Sequence, residues 1–127
     1  MAFYLEIEKT RTTPYVLIDE AKEYMRFEGE CYLEDIIGFF KDIHEWLENY
    51  LASNSANLTF DCALEYFNSS TTKLLYNMLR SMDEHYDENH HLVVNWIVAA
   101  DDDMIAECGE DFQEEMENLQ FNLVIKN

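Results

Sequence analysis

The sequence predicts an α/β chain: a mixed sheet with antiparallel N-terminal strands and three amphipathic helices. Three observations carry that reading. Phe3, Leu5 and Ile7 alternate with Tyr4, Glu6 and Glu8, the period of a half-buried strand. From Leu33 the apolar spacing lengthens to that of a helix. From there helical and strand-like segments take turns to the C-terminus, an order that implies right-handed crossovers and a mostly parallel sheet.

The elements follow in order. After the first strand, Thr12, Thr13 and Pro14 form a break. Tyr15 to Ile18 and Tyr24 to Glu28 read as two further short strands joined by Asp19 to Glu23, an antiparallel meander with Met25 and Phe27 on its inner face. Gly29 is expected to end this region. Ile36, Phe40, Ile43, Leu47 and Leu51 then predict a long helix over roughly 33 to 52, with a polar turn over Ser53 to Asn57.

The next strand is expected over 58 to 66, with Leu58, Phe60, Cys62, Leu64 and Tyr66 on one face and Asp61 and Glu65 on the other. A second helix carries Leu74, Leu75, Met78, Leu79, Met82 and Tyr86 inward. Leu92 to Ala99, LVVNWIVA, is a nearly unbroken apolar run, as expected of a strand covered on both faces. Asp101, Asp102 and Asp103 open a third helix, where acids suit the dipole, and Ile105, Cys108, Phe112 and Met116 form its stripe. Phe121, Leu123 and Ile125 predict a last strand.

At 127 residues the chain fits a single domain, 1–127. Apolar residues make up 48% of it, enough for a core and too many for a disordered acidic tail. The net charge of −19 repels nucleic-acid phosphates and anionic membrane surfaces, so neither is an expected partner. No stretch approaches the roughly 20 apolar residues of a bilayer span, and the N-terminus lacks the pattern of a secretory signal. Cys31, Cys62 and Cys108 are odd in number and lack a CxxC spacing, so they read as reduced thiols. The expected location is the cytoplasm.

The most informative segment joins the strand at 58 to 66 to the second helix. Asn68, Ser69, Ser70, Thr71 and Thr72 stand in a row there, although one side-chain cap suffices for a helix N-terminus. Plain capping by Ser69 or Ser70 is the simpler account of the run. Its position argues for more. It follows a strand directly, where open α/β sheets expose their sites, and a helix start favours an added anion such as a phosphoryl group.

Other constellations carry less. His90 and His91 are adjacent, with His85, Asp87 and Glu88 near, but neighbouring residues entering a strand point to opposite faces and do not share one ion. The acids at 101–103, with Glu107, Glu110 and Asp111, read as a solvated helix start or an acidic docking face. Neither a phosphate-cradling loop nor a GxSxG or HExxH motif is present. No catalytic residue, metal ligand or cofactor is expected.

Four segments in order resemble the SiaC family of bacterial regulatory phosphoproteins, over nearly the whole length. They are Thr12 to Val16 (TTPYV), Gly29 to Tyr32 (GECY), Tyr66 to Ser70 (YFNSS), and Trp96 followed by Asp101-Asp102 and Ala106 to Phe112 (AECGEDF). The strand, polar triplet and modifiable helix start are also similar to anti-sigma-factor antagonists and STAS domains. The resemblance implies a STAS-like fold and a non-catalytic partner switch. A SiaB-like kinase would phosphorylate the protein and a SiaA-like PP2C phosphatase would reverse this. The unphosphorylated form would bind and activate a diguanylate cyclase, raising cyclic-di-GMP and favouring biofilm growth. The family's phosphorylated Thr, directly after Asn, falls on Ser69, with Ser70 and Thr71 as rivals and Asn68, Ser70, Thr71 and Thr72 forming the turn around it. A reading from another class is an acidic inhibitor, such as an immunity protein, that blocks a basic partner. Neighbouring genes separate the two: a kinase, phosphatase and cyclase, or a toxin.

Overall fold

The computed structural model describes residues 2–53 and 56–126. Its strands are β1 (Tyr4–Ile7), β2 (Tyr15–Asp19), β3 (Tyr24–Cys31), β4 (Leu58–Phe67), β5 (Leu92–Ala99) and β6 (Gln120–Lys126). Its helices are α1 (Ile36–Leu51), α2 (Ser69–Glu84) and α3 (Asp103–Glu115), with a short 3₁₀ turn at Glu20–Lys22. The six strands form one sheet in sequential order, β1 to β6. The pairs β1–β2 and β2–β3 are antiparallel, and β3–β4, β4–β5 and β5–β6 are parallel. The expected meander therefore lies at one edge. The polar turn expected over 53–57 includes Asn54 and Ser55, which lie outside the described residues.

All three helices cover the same face of the sheet. Phe27 of β3 and Trp96 of β5 both register with Cys62 of β4, so the three side chains share a face. Phe40 of α1 packs on Phe27 with ring centroids 5.4 Å apart, and Phe112 of α3 packs on Trp96 at 5.4 Å. Helix α2 lies between them, its Tyr76 ring 6.4 Å from Phe112 and its Ser81 hydroxyl donating to Glu48 of α1. Burying these stripes in one continuous core is the main favourable term in folding.

Expectation and structure part in four places. The run at 92–99 is covered by helices on one face only. Its other face carries Val93, Asn95, Ile97 and Ala99, where Asn95 donates to Asp61 (2.9 Å) and accepts from Asn122 (3.0 Å). The Asp61 carboxylate also accepts from Tyr24 (2.6 Å) and Arg26 (3.5 Å), so a polar ladder spans the uncovered face. Gly29 does not end β3, which runs on to Cys31. Instead Gly29 sits at φ 103°, a left-handed conformation open to glycine, where the register with β4 shifts. Gly29 pairs with Leu64 and Glu30 with Tyr66, so Glu65 is the extra residue of a β-bulge. Past it the side chains change face. Phe67 turns inward against Trp96 (6.1 Å), and Tyr66, expected inside, is 54% exposed. Tyr86 falls beyond α2 and is likewise exposed.

Candidate functional site at the start of the second parallel crossover helix

The bulge turns Phe67 toward the core, where it is partly buried, and lets the chain turn at once into α2. Asn68 is extended (φ −90°, ψ 178°) and caps the helix, its Oδ1 accepting from the Thr71 amide at 3.1 Å. Thr71 is fully buried. Its hydroxyl lies 2.9 Å from Asn68 Oδ1, 3.1 Å from the Cys31 carbonyl oxygen and 3.4 Å from Cys31 Sγ. The Thr72 hydroxyl and amide both donate to the Asn68 carbonyl oxygen, at 3.2 and 3.1 Å.

These bonds divide the polar run by role. Asn68 caps, Thr71 ties α2 to the end of β3, and Thr72 closes the first turn. Ser69 and Ser70 are exposed, and no hydrogen bond engages either hydroxyl among the described residues. The capping function expected of Ser69 or Ser70 belongs to Asn68. The amides of Thr71 and Thr72 already serve Asn68. The amides of Ser69 and Ser70 remain.

Helix polarity adds a second asymmetry. Helices α1, α2 and α3 start from the carboxyl ends of β3, β4 and β5. Asp35 caps α1 and Asp102 caps α3, each with a carboxylate that accepts a backbone N–H (3.0 and 3.2 Å). The α2 cap is an uncharged amide, and no acid stands in its first turn. The positive end of α2 is therefore the one not compensated by its own cap. Lys73, one turn after Ser69, is exposed and suits an added anion.

Apolar side chains surround this lip. Tyr32 and Tyr66 pack edge to face at 5.3 Å, and both are exposed. Ile37 is 76% exposed and shares a hollow of about 220 Å³ with Ser70, Lys73 and Leu74. Met104, in the first turn of α3, is 82% exposed. Four large apolar groups thus face solvent at the end of the sheet where the helices start. Sequence reasoning missed them. Tyr66 was hidden by the bulge, whereas the pairs Ile36-Ile37 and Met104-Ile105 held a signal, because a single core stripe does not absorb two adjacent apolar residues at a helix start.

The other candidates are engaged elsewhere. His90 Nδ1 lies 2.7 Å from Asp87 Oδ1 and its Nε2 lies 3.1 Å from the Ser53 carbonyl oxygen, and the His91 amide donates to Asn57 Oδ1 (2.8 Å). Among the described residues no group of three or more His, Cys, Asp or Glu is placed to hold a metal ion. The three cysteines are free thiols. Burial pushes the Cys62 thiol up to about 12 and the Cys108 thiol up to about 11, and burial also raises Cys31, partly offset by the Thr71 hydroxyl. No helix is long and apolar enough to cross a membrane, among the described residues.

Comparison with known proteins places this geometry in a family. The family described as SiaC family regulatory phosphoprotein matches residues 7–126. An uncharacterized protein of Pseudomonas aeruginosa strain UCBPP-PA14 is 26% identical over 111 residues, which is 87% of this chain and 88% of that protein. The crystal structure of apo-SiaC from Pseudomonas aeruginosa superposes with a TM-score of 0.82 at 25% identity, covering 98% of this chain and 99% of the other. A chain in the crystal structure of the Pseudomonas aeruginosa diguanylate cyclase SiaD in complex with its activator SiaC shares the fold at a TM-score of 0.89 and 24% identity. That match covers 96% of this chain and 99% of the other.

Proposed function

The chain belongs to the SiaC family of regulatory phosphoproteins, and from that premise we propose that it is a phosphorylation-controlled partner switch with no catalysis of its own. Ser69 is the phosphate acceptor. A SiaB-like kinase adds the phosphoryl group and a SiaA-like PP2C phosphatase removes it. The unphosphorylated form binds and activates a diguanylate cyclase, as the Pseudomonas aeruginosa complex of SiaD with its activator SiaC supports. Residues 1–127 work as one domain, in the cytoplasm.

One observation carries the proposal: Ser69 and its rival Ser70 offer exposed, unbonded hydroxyls at the helix start whose cap bears no charge, and Ser69 is the one directly after Asn68. Transfer there needs no rearrangement of the turn, because Asn68 and Thr71 hold it without Ser69. The new group brings about −1.5 to −2 charges and three acceptor oxygens. The free amides of Ser69 and Ser70, with Lys73, stabilise it in the isolated protein. Beneath a docked cyclase the same dianion is desolvated, which costs more than these contacts return. Phosphorylation thus favours the free protein and releases the partner.

The test uses a SiaB-like kinase with Mg-ATP, mass spectrometric mapping of the product, and binding of a SiaD-like cyclase before and after modification. Phosphate on Ser69, lost in Ser69→Ala, together with weaker cyclase binding by the modified protein, is the expected result. Full labelling of Ser69→Ala removes Ser69 as acceptor. Equal cyclase binding by both forms removes the switch.

A further inference from the structure

At the opposite end of α1 from the Ser69 lip, an open hollow of about 680 Å³ lies between α1 and β1. Its wall is a stack of three rings. Phe3 and Trp46 lie nearly parallel with centroids 5.9 Å apart, and Trp46 and Tyr50 at 4.9 Å with 16° between planes. Its charged groups are of one sign. Glu20, Asp42 and Glu45 line it, and no lysine or arginine does. Trp46 Nε1 donates to Glu20 Oε1 at 2.7 Å, which fixes that carboxylate beside the stack and leaves its second oxygen unbonded among the described residues. Neither Asp42 nor Glu45 is in an ion pair among the described residues.

Rings beside unpaired carboxylates select a cation that is flat and carries several donors. A guanidinium stacks on aromatic faces and binds carboxylates through its planar fork, whereas an ammonium is a compact and more strongly hydrated point charge. The edge of the sheet favours a protein-borne ligand over a free one. Strand β1 is the first of the sheet and has a strand partner on one side only. Its Tyr4 and Leu5 line the same hollow. An extended segment that pairs with this edge sends alternate side chains toward it.

We propose that the hollow between β1 and α1 receives the arginine side chain of a basic, extended segment of a protein partner. Charge complementarity supports the choice, since the chain carries 27 Asp and Glu against 8 Lys and Arg. The surface shares no residue with the Ser69 lip.

The test is a titration of the ¹⁵N-labelled full chain, followed at the Trp46 indole N–H, which a Trp46→Phe sample assigns. Three pentapeptides are compared: acetyl-Thr-Val-Arg-Val-Thr-amide, its lysine version and its citrulline version, which keeps the shape and removes the charge. The arginine peptide is expected to give a saturable shift at the indole and in the β1 amides. The citrulline peptide should bind about tenfold more weakly, as should the double variant D42N/E45Q with the arginine peptide. Ser69→Ala should bind it unchanged, which separates this site from the phosphorylation reading. An unmoved Trp46 indole, equal binding of the citrulline peptide, or tighter binding of free spermidine than of the arginine peptide would each overturn the proposal.

Discussion

The Thr71 hydroxyl lies 3.1 Å from the Cys31 carbonyl oxygen, so the first turn of α2 is tied to the last residue of β3 across a bulged register. Donor and acceptor are both buried, which makes the bond matter more than its length implies. Thr71→Val keeps the shape and removes the donor. It is expected to lower stability by about 1–2 kcal/mol, read from urea unfolding midpoints. Kinase labelling at Ser69 should survive in that variant. Loss of all labelling in a folded Thr71→Val protein would count against Ser69 as the acceptor.

Asn68 and Ser69 are adjacent and should respond in opposite ways. Asn68→Ala removes the cap of α2 and is expected to cost about 1 kcal/mol. Ser69→Ala removes a hydroxyl with no partner and should stay within about 0.5 kcal/mol of the parent. Asn68→Asp places a carboxylate at the uncompensated helix end and should gain about 0.3–1 kcal/mol. Thermal unfolding of the three variants checks the order. Ser69→Ala falling as far as Asn68→Ala would mean that Ser69 does the capping in solution.

The arrangement of elements was legible because burial dictates local pattern. Met25 and Phe27 lie fully buried where the meander predicted them, and the apolar run from Leu92 to Ala99 is β5 to the residue. What escaped was non-local. The Glu65 bulge follows from a pairing mismatch with Gly29 across the sheet, and no property of Tyr66 itself announces that it faces water. The single covered face escaped for a related reason. Asn95 in the middle of LVVNWIVA is satisfied by Asp61 and Asn122, residues far from it in the chain. At the site, residue types located the turn, whereas the roles of Asn68, Ser69 and Thr71 depend on where the Cys31 carbonyl lies.

Gly109 shows how far packing overrides helix propensity. Within α3, glycine to alanine ordinarily gains about 1 kcal/mol. Here an added Cβ would clash with Trp96 Cδ1 and sit 2.7 Å from Leu123 Cδ2. Trp96 cannot retreat easily, since its Nε1 donates to the Ile105 carbonyl oxygen at 2.9 Å and its ring is buried. Overpacking of this kind costs about 1–3 kcal/mol. Gly109→Ala is therefore expected to destabilise the protein in chemical denaturation and to change its tryptophan fluorescence. An unchanged or raised midpoint would mean that α3 shifts freely on the sheet.

His90 and Asp87 give the loop before β5 a pH dependence of definite sign. The Asp87 carboxylate beside it raises the His90 pKa above 6.5, with help from the Ser53 carbonyl, and His90 in turn lowers Asp87 below 3.8. The raised histidine contributes fully below 6.5, and that contribution is lost as pH rises through its folded pKa. The lowered carboxylate contributes fully above 3.8 and is lost as pH falls through its own folded pKa. The pair is thus at full strength only between those two values. Asp87 is solvent-exposed and His90 half-buried at the surface, so the effect is small and weakens with salt. The difference in urea midpoint between the parent and His90→Ala should be largest near pH 5 to 6 and narrow toward pH 8 and above. A difference that stays constant from pH 5 to 9 would show that His90 holds the loop through neutral hydrogen bonds alone, with no ion pair to Asp87.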